Sequence, residues 1–194
     1  MKEYKIPRST FIGASFINNK LCDDLKSYFK KSPHNFKKNG TVGLDQKERF
    51  KNIKDSMDMH LSGKETIYPF QEYLKELQKC LLLYQNKFKD VQNLSRFSIS
   101  HEGYCIQYYK TGGGFKVWHN ERSNLKQCHR ILIFMTYLNT VKDGGTFFKY
   151  QKLKIPAKKG LTLIWPSDWT HTHKGEISKT KEKFIVTGAF GFLE

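Results

Sequence analysis

The first half of the chain consists of two amphipathic segments separated by a polar stretch. Residues 18–31 and 69–90 place apolar side chains every three or four positions, which puts them on one face of a helix. Asn18 or Asn19 provides an N-cap for the first helix, and Pro33 closes it. The apolar stripes are Leu21, Leu25, Tyr28 and Phe29 in the first segment and Phe70, Tyr73, Leu74, Leu77, Leu81, Tyr84 and Phe88 in the second. Residues 36–64 between them are polar, which predicts a long loop or a partly ordered lid that frames a functional site.

After residue 93 the pattern changes to short apolar or alternating runs separated by glycines. Such runs predict strands over residues 96–100, 105–109, 129–138, 146–149, 161–165 and 184–190, with turns at 112–114, 143–145 and 156–160. Helices followed by an antiparallel set of strands indicate an α+β, mainly β fold. We expect a double-stranded β-helix, or jelly roll, braced by the N-terminal helices. The chain is interpreted as one domain, 1–194, in which 1–95 supply helical support and the polar loop and 96–194 form the jelly-roll core.

The composition indicates a globular protein with a strong positive charge. The formal net charge of +16 favours acidic partners, but lysine far outnumbers arginine, which is the usual residue for reading phosphates and bases. Nucleic acid therefore stays open as a partner without being favoured. No apolar run approaches the ~20 residues that span a bilayer, and no signal peptide is recognisable, so we expect a cytoplasmic protein without a membrane partner. The four cysteines are scattered without metal-site spacing and indicate reduced thiols.

The candidate chemistry lies in two histidine segments of the second half. His119 and Glu121 are two positions apart, so an extended backbone would project both side chains from one face. A remote histidine would complete the two-histidine, one-carboxylate set that binds Fe(II) and leaves coordination positions open. His171 and His173 share a strand face, so geometry alone leaves the choice between them open. Zinc is the main competing metal, but a zinc hydrolase needs a general base, which no residue supplies at a characteristic offset.

A series of motifs from residue 104 onward supports an oxygenase. The chain reads Tyr109-Lys110-Thr111-Gly112, His119-Asn120-Glu121, Tyr137-Leu138-Asn139, Gly144-Gly145-Thr146-Phe147-Phe148, Pro156-Ala157-Lys158-Lys159-Gly160, His173-Lys174-Gly175 and Lys183. In this order and spacing the motifs resemble the 2-oxoglutarate/Fe(II)-dependent oxygenases of the prolyl 4-hydroxylase type, in particular the small stand-alone forms of bacteria and phages. Two departures stand out: Glu121 replaces the usual aspartate, and the segment between Tyr109 and His119 is one residue longer.

The resemblance implies a role for each of the matching residues. His119, Glu121 and His173 would bind Fe(II), and Lys183 would bind the distal carboxylate of the co-substrate 2-oxoglutarate. Tyr137 would either hydrogen-bond that carboxylate or serve only as a packed aromatic residue, while Tyr109 and Thr187 are further candidates beside it. Dioxygen would be the second co-substrate and ascorbate the reductant.

The expected activity is therefore hydroxylation coupled to the decarboxylation of 2-oxoglutarate. The substrate is a small molecule or a peptide, with a prolyl residue of a peptide or protein as the first candidate and an acidic target favoured by the charge of the chain. The alternative is a non-catalytic basic jelly roll that binds nucleic acid or an acidic protein. The oligomeric state does not follow from the sequence.

Overall fold

Two helices lie on the N-terminal side of the fold, close to where the apolar pattern predicts them. The computed structural model describes residues 1–42 and 50–193. Helix α1 (Asn19–Lys31) begins where the Asn18 side chain accepts a hydrogen bond from the backbone N–H of Lys20. Helix α2 (Phe70–Lys87) follows Pro69 and is three residues shorter than expected at its end. The stripe residue Tyr28 is partly exposed, because its ring packs edge-on against Phe70 at the rim of the core.

The strands form one large sheet, one small sheet and a short ladder. They are β1 (Lys2–Glu3), β2 (Gly13–Phe16), β3 (Lys38–Asn39), β4 (Lys54–Asp55), β5 (Met57–Leu61), β6 (Phe97–Tyr109), β7 (Gly114–Phe115), β8 (Arg130–Tyr137), β9 (Val141–Phe148), β10 (Leu153–Ala157), β11 (Leu161–Pro166), β12 (His173–Gly175) and β13 (Lys183–Phe192). Within the described ranges the large sheet has the order β1-β2-β11-β8-β13-β6-β5-β3, the small sheet has the order β10-β9-β12, and β4 pairs with β7.

Strand β8 shows how the layers are stacked. Its successive side chains point to opposite faces of the large sheet. Leu132 and Phe134 pack against the residues of both helices, whereas Ile133, Met135 and Tyr137 pack against those of the small sheet. The architecture is therefore a jelly roll whose large sheet is braced by the helices on its outer face, and the expected fold class is confirmed. The candidate site lies between the two sheets.

Two sequence-based expectations about local structure are wrong. The segment 36–64 is not simply a loop, because β5 within it pairs with β6 and extends the large sheet; its residues 43–49 lie outside the described part of the chain. Gly144 and Gly145 lie inside strand β9 and not in a turn. A Cβ atom on Gly145 would lie 2.5 Å from the carbonyl oxygen of Ile155, so glycine is needed here for the close approach of strand β10.

Two compositional expectations can also be compared with the structure. Cys22, Cys80, Cys105 and Cys128 are all free thiols, as their spacing indicates. Neither α1 nor α2 combines the length and the apolar character that a membrane-spanning helix requires.

Candidate iron and 2-oxoglutarate site

Backbone hydrogen bonds bring three side chains that could bind a metal ion together from separate segments. His119 and His173 form a two-way bridge, with N···O distances of 3.0 and 2.9 Å between their backbone groups. The N–H of Glu121 donates to the carbonyl oxygen of Ser167 at 3.2 Å, just after strand β11. As a result, one ligand atom from each of His119, Glu121 and His173 lies within 4.8 Å of the other two.

Both imidazole rings are oriented for metal binding through Nε2. Nδ1 of His119 lies 3.0 Å from the carbonyl oxygen of Val117, and Nδ1 of His173 lies 2.9 Å from that of His171. A carbonyl oxygen only accepts hydrogen bonds, so each Nδ1 carries the hydrogen and each Nε2 keeps a free lone pair. These Nε2 atoms lie 3.4 and 3.8 Å from Oε1 of Glu121. Two lone pairs that converge with a carboxylate oxygen fit a divalent cation, and the donor types fit Fe(II).

Aromatic side chains hold the two ligand rings in place. The ring of Phe115 stacks on His119 with centroids 3.6 Å apart, and Trp165 packs edge-on against His173 at 5.1 Å. Burial, followed by the charge of His119, lowers the pKa of His173 to about 3 and keeps the ring neutral. Burial alone would raise the pKa of Glu121, but its contacts with His119 and the charges of His173 and Arg130 hold it at about 2. His173 is therefore a neutral imidazole and Glu121 a carboxylate, the protonation states that metal binding requires of them.

The structure distinguishes the two histidines that the sequence left as alternatives. The ring of His171 points away from the cluster, and its Nε2 lies 2.9 Å from the carbonyl oxygen of Thr10. Its contribution to the site is its own backbone carbonyl, which accepts the hydrogen bond from His173. His173 is the histidine that joins His119 and Glu121.

A cavity of about 490 Å³ extends from the three ligands to Lys183. Lys183 is the first residue of β13, lies opposite Tyr109 of β6, and is buried. Its ammonium group donates hydrogen bonds to the carbonyl oxygens of Gly144 at 3.1 Å and Glu176 at 3.0 Å. Among the described residues no carboxylate forms an ion pair with it, and burial lowers its pKa to about 8 although Glu176 and Asp143 act in the other direction. One of its three N–H donors is left for an anionic ligand.

The three hydroxyl residues predicted beside Lys183 also line this cavity. The hydroxyl of Tyr137 lies 2.6 Å from Oγ1 of Thr146, and the hydroxyl of Tyr109 donates to Oε1 of Gln107 at 2.5 Å. Oγ1 of Thr187 donates to the backbone carbonyl of Phe134 at 3.1 Å. Tyr137 is thus a fully buried aromatic residue that also lines the cavity, and its role as a hydrogen-bond donor to a carboxylate stays a prediction.

Four charged residues of the site were not singled out from the sequence. Arg130 and Glu102 form an ion pair beside Glu121, and Lys54 and Asp58 form another in the cavity wall. Arg130 begins an apolar strand just as Lys183 does, and this pattern was a signal for a buried charge. Lys54 and Glu102 lie in polar surroundings in the sequence, and Asp58 interrupts the short run of β5, so nothing distinguishes these three from surface residues.

Comparison with known proteins agrees with this geometry. The model of the 2OG-Fe(II) oxygenase superfamily matches residues 104–191, the range that contains the three ligands and Lys183. Residues 104–191 of the chain are therefore a 2OG-Fe(II) oxygenase domain. Members of this superfamily use Fe(II), 2-oxoglutarate and dioxygen. Two histidines and one carboxylate are suitable ligands for Fe(II) in this oxygenase. No curated protein matches its sequence significantly.

Solved structures of prolyl hydroxylases share the fold of this oxygenase. The viral collagen prolyl hydroxylase of Paramecium bursaria Chlorella virus-1, in its 2-oxoglutarate complex, is similar with a TM-score of 0.67 and 19% identity, over 94% of this chain and 97% of that one. A prolyl-4-hydroxylase of Pseudomonas putida gives 0.68 and 12%, over 94% and 93%. A Trichoplax adhaerens prolyl hydroxylase in complex with a peptide of hypoxia inducible factor gives 0.68 and 16%, over 92% and 83%. At these identities the likeness establishes the fold of the oxygenase.

Proposed function

We propose that this chain is a 2-oxoglutarate- and Fe(II)-dependent dioxygenase that hydroxylates a prolyl residue of a peptide or protein. One observation carries the proposal. The clustered side chains of His119, Glu121 and His173 line the same cavity as Lys183, which is buried and has no carboxylate partner among the described residues. An ammonium group without a carboxylate partner is unfavourable in a buried site, which explains why a permanent anionic ligand is expected there.

Some residues of the cavity would bind the metal, and others would bind the co-substrate. His119, Glu121 and His173 would hold Fe(II) on one face and leave three positions open. When bound, Fe(II) would supply the chemistry by which one oxygen atom of dioxygen enters succinate, with loss of carbon dioxide from 2-oxoglutarate, and the other is inserted into a C–H bond of the substrate. Lys183 would anchor the distal carboxylate of 2-oxoglutarate, with Tyr137 as a second donor, whereas Tyr109 and Thr187 would line the same cavity while their hydroxyls donate to Gln107 and to the backbone of Phe134. Because Glu121 supplies a carboxylate ligand, we favour hydroxylation over halogenation.

The substrate assignment is supported by the fold and the charge of the chain. The three structures of similar fold described above are prolyl hydroxylases, and one of them is in complex with a peptide. The net charge of +16 favours an acidic peptide or an acidic small molecule as target. Ascorbate as reductant and a cytoplasmic location stay predictions.

The proposal is tested by measuring carbon dioxide release from 2-oxoglutarate after addition of Fe(II) and ascorbate to the metal-free protein. We expect turnover in the wild-type chain, stimulation by proline-containing peptides, and loss of turnover in His119→Ala. Absence of turnover in the wild type would refute the oxygenase assignment. Salt-dependent binding of nucleic acid that is unchanged in a His119→Ala/His173→Ala variant would then favour the binding module, and tightly bound zinc in the purified protein would favour a hydrolase.

A further inference from the structure

The guanidinium group of Arg130 bridges two carboxylates, one of which is the proposed iron ligand. Its Nε and Nη2 donate to the two carboxylate oxygens of Glu102 at 2.6 and 2.7 Å. Its Nη1 donates to the backbone carbonyl oxygen of Glu121 at 3.0 Å and lies 3.4 Å from Oε2 of the same residue. The side chain of Arg130 is only 9% exposed, so these contacts are shielded from solvent. Arg130 therefore contacts Glu121 through both its backbone and its carboxylate.

The two carboxylate oxygens of Glu121 face different partners. Oε1 lies 3.4 Å from Nε2 of His119 and 3.8 Å from Nε2 of His173, whereas Oε2 lies toward Arg130. The carboxylate is thus turned so that a single oxygen faces the point on which the two imidazoles converge. We infer that Arg130 is a positioning residue that makes Glu121 a one-oxygen metal ligand. This inference rests on the proposed function.

The physical need for such a residue follows from the length of the ligand side chain. Glu121 is one methylene longer than the aspartate usual at this position, so it has an additional side-chain torsion to restrain. A carboxylate binds a cation through one oxygen or through both. Two oxygens from Glu121, together with two imidazoles, would occupy a position that the 2-oxo acid or dioxygen requires. A charge-assisted hydrogen bond to Oε2 opposes that second contact.

Arg130 is itself held firmly enough to play this role. Glu102 engages it through two parallel hydrogen bonds, a geometry that fixes the plane of the guanidinium. Oγ of Ser167 donates to the backbone carbonyl of Arg130 at 2.7 Å, and the carbonyl of Ser167 accepts from the N–H of Glu121. Ser167 therefore links the backbones of Arg130 and Glu121, while Glu102 fixes the side chain between them.

The experiment compares 2-oxoglutarate binding in Arg130→Gln, Glu121→Asp, the double variant and the wild type, all loaded with Fe(II) without oxygen. Affinity is measured by calorimetry, and the visible metal-to-ligand absorption band reports how the co-substrate binds. Metal affinity is measured separately with Co(II), whose absorption spectrum reports the coordination number. Arg122→Gln is the matched control, because Arg122 lies next to Glu121 but pairs with Asp168 at 2.6 Å and contacts Arg130 only at its backbone carbonyl, at 3.4 Å.

We expect Arg130→Gln to bind Co(II) with a higher coordination number and to lose about tenfold to a hundredfold in 2-oxoglutarate affinity, as for other residues that orient metal ligands. Arg122→Gln should match the wild type in both measurements. Glu121→Asp withdraws the carboxylate from Arg130, so adding Arg130→Gln to it should change the affinity by less than about twofold. If Arg130→Gln weakens binding equally in both backgrounds, or leaves the Co(II) spectrum unchanged, the positioning role is refuted.

Two further results keep the inference separate from folding and from the proposed function. If Arg130→Gln does not fold, Arg130→Lys is used instead, because lysine cannot reproduce the bridge between Glu102 and Glu121. A Co(II) spectrum of Arg130→Lys identical to that of the wild type would then overturn the inference. If the wild-type protein binds no 2-oxoglutarate, the proposed function is refuted. If the wild type and Arg130→Gln bind 2-oxoglutarate with the same affinity, only the role of Arg130 is refuted.

Discussion

The ammonium group of Lys183 donates a hydrogen bond of 3.1 Å to the backbone carbonyl oxygen of Gly144. The contact crosses from the large sheet to the small one, because Lys183 begins β13 and Gly144 lies within β9. Together with the carbonyl of Glu176 it fixes the direction of the lysine and leaves its charge unneutralised. The anchor proposed for 2-oxoglutarate is therefore oriented before the co-substrate arrives.

The first prediction concerns the pH dependence of 2-oxoglutarate binding. Burial lowers the pKa of Lys183 to about 8, so the free protein loses this proton as the pH rises through that value. The complex keeps the proton, because the bound carboxylate stabilises the ammonium form. Affinity for 2-oxoglutarate should therefore be constant below pH ~8 and fall about tenfold per pH unit above it. Calorimetric titrations of the anaerobic Fe(II) protein across this range measure the slope.

Lys183→Arg is the control for this prediction, since a guanidinium stays charged throughout the range. It should bind 2-oxoglutarate more weakly, but with a flat profile between pH 7 and 9.5. An equally steep profile in Lys183→Arg would show that another group controls the pH dependence.

The second prediction concerns Gly144 itself. A Cβ atom on this residue would lie 2.8 Å from Cβ of Val141 and 3.3 Å from Cδ of Lys183. Gly144→Ala should therefore lower the free energy of unfolding by about 1–3 kcal/mol, as overpacking does, and weaken 2-oxoglutarate binding by displacing Lys183. Denaturant unfolding and calorimetry measure the two effects. A Gly144→Ala protein that unfolds at the same denaturant concentration as the wild type would show that the neighbouring side chains accommodate the added methyl group.

The fold and the metal ligands could be predicted because their signals are local. Asn18 and Pro33 mark the ends of α1, and the period of two marks strands such as β8. The pair His119-x-Glu121 is likewise a local pattern, and the choice of His173 over His171 came from the motif around it. That the whole chain is one domain stays a prediction. It is supported by β2 and β5 of the first half, which pair with β11 and β6 of the large sheet.

The parts that could not be predicted depend on contacts between distant residues. Gly144 and Gly145 have the composition of a turn, and only the approach of β10 explains why they lie in a strand. Glu102 and Arg130 are 28 positions apart, so their ion pair follows from the packing of β6 and β8 against β13 and from no sequence pattern. Strand β5 was missed because Asp58 and His60 interrupt a run of only five residues.

The third prediction concerns the ion pair of Lys54 and Asp58 in the cavity wall. Nζ of Lys54 lies 2.6 Å from Oδ2 of Asp58, and both residues are buried. Asp58→Ala leaves the ammonium buried without its partner, which should lower the free energy of unfolding by about 3–5 kcal/mol. The uncharged double variant Lys54→Met/Asp58→Asn should be more stable than Asp58→Ala and close to the wild type, because it removes both charges and nearly keeps the volume.

Denaturant unfolding of the three proteins measures this difference. The double variant should also retain its affinity for Fe(II) and 2-oxoglutarate, because asparagine at position 58 keeps an acceptor for Nε2 of Gln107, the residue that holds the hydroxyl of Tyr109. A double variant less stable than Asp58→Ala would show that the pair itself stabilises the fold.

The fourth prediction separates the two histidines of the second segment. Co(II) bound to the folded protein at about a hundred times its dissociation constant should stabilise it by about 2.7 kcal/mol, which raises the melting temperature. His173→Ala should lose this metal-dependent rise, because the cluster is left with two ligands. His171→Ala should melt at a lower temperature, since the buried carbonyl oxygen of Thr10 loses its hydrogen bond, but its rise on adding Co(II) should match that of the wild type. Thermal melts with and without Co(II) decide between the two, and a metal-dependent rise that survives in His173→Ala but disappears in His171→Ala would reverse the assignment.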